Sequence, residues 1–61
     1  MQILALLPEK FRIVVILYYL EGLSVEEIAK TLTLGKSAVK MRLSRARKML
    51  EEKMTEEDFH V

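Results

Sequence analysis

KSAVKMRLSRARKML, residues 36–50, has the two-sided chemistry of an amphipathic helix. At 100° per residue, Val39, Leu43, Ala46 and Leu50 fall on one narrow apolar stripe. Ser37, Lys40, Met41, Ser44, Arg45 and Lys48 fall opposite, with Arg42 and Arg47 on the flanks. Lys36 to Lys48 contains six Lys and Arg and no Asp or Glu. A helix face that merely meets solvent usually mixes signs, because i,i+4 ion pairs stabilise it. An apolar back with an acid-free cationic front suits a polyanion, and the major groove of B-DNA admits a helix of this width.

Immediately upstream lies a strong local signal. Ser24 and Glu27 have the S-x-x-E spacing of a capping box, and Leu23 and Ile28 stand where a hydrophobic staple would. The short helix they open, Val25 to about Leu32, has Val25, Ile28, Ala29 and Leu32 on its inner face. Ala29 is small enough to let another helix cross closely. Thr33, Leu34 and Gly35 then separate it from the basic helix, which is the helix-turn-helix plan. Gly35 is an acceptable N-cap, and Ser37 would cap a later start. The basic helix is expected to reach Lys53.

Further back, Leu7-Pro8 marks a restart of the chain, and Glu9 complements the dipole of the helix that follows. That helix, Pro8 to about Glu21, is apolar all round after Arg12, in the run IVVILYYL. Its β-branched residues would also suit a strand, but the signals at its two ends favour helix. A chain of this size cannot cover both its faces, so part of the surface is expected to lie open, shielded by Tyr18 and Tyr19 or covered by a partner. Gly22 is placed to close the helix in a left-handed conformation. Met1 to Leu7 is too short to hold a helix alone and reads as the end of something longer or a turn docked on the core.

The fold class is therefore all-α: a small bundle of about four helices containing a helix-turn-helix, akin to winged-helix DNA-binding domains but without the wing. Residues 1–54 form the domain, and 55–61 an acidic tail in which Thr55 resembles another cap. The 61 residues carry a net charge of only +1, but the signs are segregated: cations at 36–48, and Glu51, Glu52, Glu56, Glu57 and Asp58 behind them. Without cysteine there are neither disulfides nor thiolate metal sites. The longest apolar run, Ile13 to Leu20, falls far short of the roughly 20 residues that cross a bilayer. No signal peptide is visible, which makes the cytoplasm the default compartment. Enzymatic function finds no support: there is no glycine-rich phosphate loop and no nucleophile paired with a base. Glu57, Asp58 and His60 match no compact metal site, so no metal or other cofactor is expected.

Three blocks, in order and at these spacings, resemble a known family. They are the Leu7-Pro8 start with Arg12, GLSVEEIA at Gly22 to Ala29, and VKMRLSRAR at Val39 to Arg47. Together they are similar to region 4 of the bacterial sigma-70 family, in its extracytoplasmic-function type. The resemblance implies a domain that docks on the β-subunit flap of the RNA polymerase core and reads the promoter −35 element in double-stranded DNA. It also implies a fragment of a longer sigma factor, with an anti-sigma factor as a possible further partner for the apolar Pro8–Leu20 surface. Two departures concern the turn. The family usually has glycine where this chain has Thr33, and a β-branched residue in the left-handed region costs about 1–2 kcal/mol. Its usual turn sequence also differs from Gly35-Lys36-Ser37-Ala38.

The wheel and the resemblance together assign Lys40, Met41, Ser44 and Arg45 to base edges. Lys36, Ser37, Arg42, Arg47 and Lys48 are assigned to phosphates, which position a helix without reading sequence. Arg42 is equally suited to an ion pair with Glu26 or Glu27. Two other functions fit parts of the pattern: the output domain of a LuxR-type regulator, which shares the G-L-S…EIA piece, and a helical module that binds an acidic protein.

Overall fold

The computed structural model describes the backbone of residues 2–59 and the side chains of residues 4–52. Its elements are α1 (Gln2–Ala5), α2 (Glu9–Val15), a π-helical segment that continues α2 (Ile16–Leu20), α3 (Val25–Leu32) and α4 (Lys36–Phe59). Among the described residues there is no strand. The all-α bundle with a helix-turn-helix is therefore the architecture observed, with α1 a single turn beside the longer elements.

Pro8 sits just ahead of α2 with φ −55° and ψ 150°, so the restart at Leu7-Pro8 is an extended step into the helix, and Leu7 is buried there. Phe11, Val14 and Val15, spaced i, i+3 and i+4, are the buried side of α2. Beyond Val15 the expected α-helix widens. The Glu21 N–H donates to the Ile16 carbonyl five residues back, and the Leu23 N–H reaches the Leu17 carbonyl six back. That last loop is one residue wider than the usual helix-closing motif. Gly22 supplies the left-handed residue, at φ 77°. On this widened segment Tyr18, Tyr19 and Leu20 all emerge to solvent, so the open apolar surface is real and sits at one end of the helix. Nothing local in IVVILYYL marks the change, since the run holds no glycine, proline or polar residue.

α3 begins as its capping box requires. Ser24 Oγ accepts from the Glu27 N–H at 3.1 Å, and Glu27 Oε1 accepts from the Ser24 N–H at 2.8 Å. Ile28 is wholly buried, and Leu23 packs against the same core. The chain then reverses through Thr33, at φ 57° and ψ 50°, with the Leu34 N–H bonded to the Ala29 carbonyl. Gly35 takes an ordinary negative φ and precedes α4, whose first ladder bond runs from the Val39 N–H to the Gly35 carbonyl. The glycine has not taken over the left-handed position, so Thr33 carries that strain itself.

α4 lies across the bundle. Its stripe of Val39, Leu43 and Ala46 is buried together with Ile28 and Ala29 of α3 and with Leu7, Phe11, Val14 and Val15. Ala29 and Ala46 are the small members of this core and leave room for α3 and α4 to approach. Leu50 and Met49 are partly buried at its edge. α4 does not end near Lys53: it is continuous to Phe59, so a domain boundary after residue 54 falls inside a helix and no separate turn opens at Thr55. The side chains of Met54 and of the acids from Glu56 onward lie outside the described residues, as does His60.

Two substitutions test the turn conformations. Thr33→Gly relieves a β-branched residue in the left-handed region while loosening the unfolded chain, for a net gain of about 0.5–1 kcal/mol and a melting temperature a few degrees higher. Gly22→Ala should move it the other way, although no atom outside the neighbouring residues lies within 4 Å of the added Cβ. Thermal unfolding followed by circular dichroism reads both. A lower melting temperature for Thr33→Gly would contradict the left-handed assignment.

Candidate nucleic-acid interface

α4 presents its cations because its other side is taken. With Val39, Leu43 and Ala46 locked in the core, helical geometry turns Ser37, Lys40, Met41, Ser44, Arg45 and Lys48 outward, and all six are exposed. Arg47 is exposed on one flank, and Arg42 is half-buried on the other. No described acid interrupts this face before Glu51 and Glu52, which are also exposed. Met41, half exposed among charges, is the one large apolar side chain on it.

The two flanks differ. On one side a recess is lined by Lys10, Phe11, Ala38, Met41, Arg42 and Arg45. Lys10 comes from α2, its ammonium 5.2 Å from the centre of the Phe11 ring, and it adds a cation that reasoning on α4 alone did not find. On the other side a notch of about 210 Å³ lies between the π-helical segment and α4, lined by Tyr18, Val25, Lys40, Leu43, Ser44 and Arg47. The four base-edge candidates are thus divided: Met41 and Arg45 border the first recess, Lys40 and Ser44 the second.

Two of the phosphate candidates have protein partners. Lys36 Nζ lies 3.3 Å from Glu26 Oε2, with both side chains mostly in water. Such a surface pair contributes between zero and about 1 kcal/mol, so it yields readily to a phosphate. It also accounts for Glu26, which does not pair with Arg42; Glu27 is engaged in the capping box. The Arg47 guanidinium donates to the Tyr19 hydroxyl at 3.0 Å. That hydrogen bond, with help from the nearby Glu51 carboxylate, raises the Arg47 pKa further above its ordinary value, so the side chain is permanently cationic. Tyr19 is 28 residues from Arg47 in sequence, and no local pattern pointed to the contact. Ser37 and Lys48 stand exposed at the two ends of the face.

Among the described residues no three His, Cys, Asp or Glu side chains are grouped to hold a metal, and Glu57, Asp58 and His60 lie outside that set. No described helix is long and apolar enough to cross a membrane.

No curated protein and no solved structure matches the chain. A family match is nonetheless clear: the family described as sigma-70, region 4, matches residues 1–50, which takes in α1 to α3 and the whole cationic face of α4. With its helix-turn-helix and its exposed basic helix, this chain belongs to the sigma-70 region 4 family, a family of DNA-binding domains of transcription initiation.

Proposed function

We propose that the chain reads the −35 element of bacterial promoters, as the DNA-binding domain of an extracytoplasmic-function sigma factor bound to core RNA polymerase in the cytoplasm. The observation that carries this reading is the exposed, acid-free face of α4 from Lys36 to Lys48, backed by a buried stripe that fixes its direction. In this account α4 lies in the major groove. Arg45 pairs bidentately with a guanine, a contact that discriminates by about 1–3 kcal/mol, and Met41 packs on a thymine methyl. Lys40 and Ser44 reach neighbouring base edges, while Lys36, Ser37, Arg42, Arg47 and Lys48 hold phosphates.

Exposed Leu6 and Leu20 supply apolar surface outside α4, suited to the β-subunit flap or to an anti-sigma factor. A module this small binds DNA weakly alone, and tethering to polymerase would raise its effective concentration at the promoter.

Binding of the chain to duplexes selected from a randomised pool tests the reading. Arg45→Ala should relax the preference at one base pair, whereas Lys48→Ala should weaken all duplexes alike and lower the salt slope by about 0.9. No enrichment of any sequence, even with the domain joined to its polymerase, would point instead to an acidic protein partner. A second expectation concerns the acids that follow the face. Glu51 and Glu52 are exposed on the same helix and repel phosphates, so Glu52→Lys should tighten binding at low salt and lose that advantage as salt rises. Unchanged affinity would place the DNA footprint further from this end of α4.

A further inference from the structure

The notch between the π-helical segment and α4 has a chemistry that α4 alone does not explain. Its polar lining is Lys40, Ser44, Arg47 and Tyr18: one ammonium, one guanidinium and two hydroxyls, with no carboxylate among the lining residues. Lys40, Ser44 and Arg47 follow one another at i, i+4 and i+7, so they form a single column along the edge of the exposed face. Tyr19 closes the column from outside by accepting from Arg47. Tyr18 and Tyr19 are held edge to face, ring centres 4.9 Å apart, which fixes where the Tyr19 hydroxyl stands.

A free arginine on a helix flank samples many rotamers, and ordering it on a ligand costs entropy. Here one guanidinium N–H is spent on Tyr19, which restrains the side chain while the planar fork keeps further donors for a ligand. Glu51, one turn beyond Arg47, acts on it electrostatically from outside the notch lining. A tetrahedral dianion or a bridging phosphodiester fits such a fork of donors.

We propose that Arg47, at the outer edge of this notch, holds one DNA backbone phosphate while Lys40 and Ser44 face the base edges beside it, and that Tyr19 is the positioning residue that holds Arg47 ready for that phosphate. The inference rests on the DNA reading above and extends the interface from α4 to the π-helical segment. It also assigns a use to the widened turn: the segment that carries Tyr18 and Tyr19 to the surface is the one that brings the hydroxyl to Arg47.

The test is a double-mutant cycle of Tyr19→Phe and Arg47→Gln on a random-sequence duplex, measured across a range of salt. Tyr19→Phe keeps the ring and removes only the acceptor. It should weaken binding by roughly fivefold. Arg47→Gln should weaken it more and lower the slope of log K against log salt by about 0.9. In the Arg47→Gln background Tyr19→Phe should then cost nothing further. Circular dichroism melts of all three variants exclude loss of fold as the cause, since both side chains are exposed. If the parent chain binds duplex with a steep salt slope but Tyr19→Phe leaves affinity unchanged, the proposal is overturned and the DNA reading stands. If the two substitutions weaken binding additively, Tyr19 does not act through Arg47 and the positioning role fails. If the parent chain shows no salt-dependent duplex binding, alone or joined to its polymerase, both fall together.

Discussion

α4 can offer its face to DNA only because the chain turns back on itself within three residues, Thr33 to Gly35. That reversal demands one left-handed residue, and Thr33 supplies it at φ 57°. The strain, about 1–2 kcal/mol for a β-branched residue, is tolerated because the turn satisfies the end of α3 and delivers α4 directly onto the core. Val39, the first apolar residue of α4, is fully buried four residues after Gly35. From there the 3.6-residue period does the rest: Leu43 and Ala46 follow Val39 inward, and Lys40, Met41, Ser44 and Arg45 between them point out. Direction, and not only charge, is thereby fixed. A slip of one residue at the turn would rotate the cationic face by about 100° and bury part of it.

The charge pattern along α4 uses the same geometry. Cations occupy the part of the helix that crosses the bundle, and Glu51 and Glu52 follow where the helix leaves it. A near-zero net charge therefore conceals a strongly directional field, positive at the bundle and negative beyond it. In the proposed DNA complex, this field would draw the phosphate backbone to the segment from Lys36 to Lys48 and repel it past that segment. The flanks refine that field. Lys10 adds a positive charge from α2 on one side, while Tyr19 orders the Arg47 charge on the other.

Local features of the fold were legible in the sequence because their causes are local. The capping box at Ser24 and Glu27, the glycine at the end of the π-helical segment, the stripe at Val39, Leu43 and Ala46 and the strained Thr33 each depend on residues within a turn or two of one another. The family resemblance was legible for the same reason, in three short ordered blocks. What escaped depends on distance. Lys36 meets Glu26 ten residues away, and Arg47 meets Tyr19 across the whole helix-turn-helix. The widening at Ile16 to Leu20 has no sequence mark, because an unbroken apolar run is compatible with either helical hydrogen-bonding pattern. The cap-like Thr55 ends the expected helix at Lys53, whereas α4 continues to Phe59. Neither threonine nor the acids around it break a helix in the way that glycine or proline does.

The central claim is that the outward side of α4, and no other surface of the domain, enters the DNA groove. Backbone amide and side-chain resonances followed by NMR during titration with a selected duplex address it residue by residue. The account predicts that the largest changes gather at Lys40, Met41, Ser44 and Arg45, with smaller ones at Lys10, Tyr19 and Arg47, and little at the buried Val14 and Ile28. Changes centred on Leu6 and Leu20, with α4 silent, would contradict it.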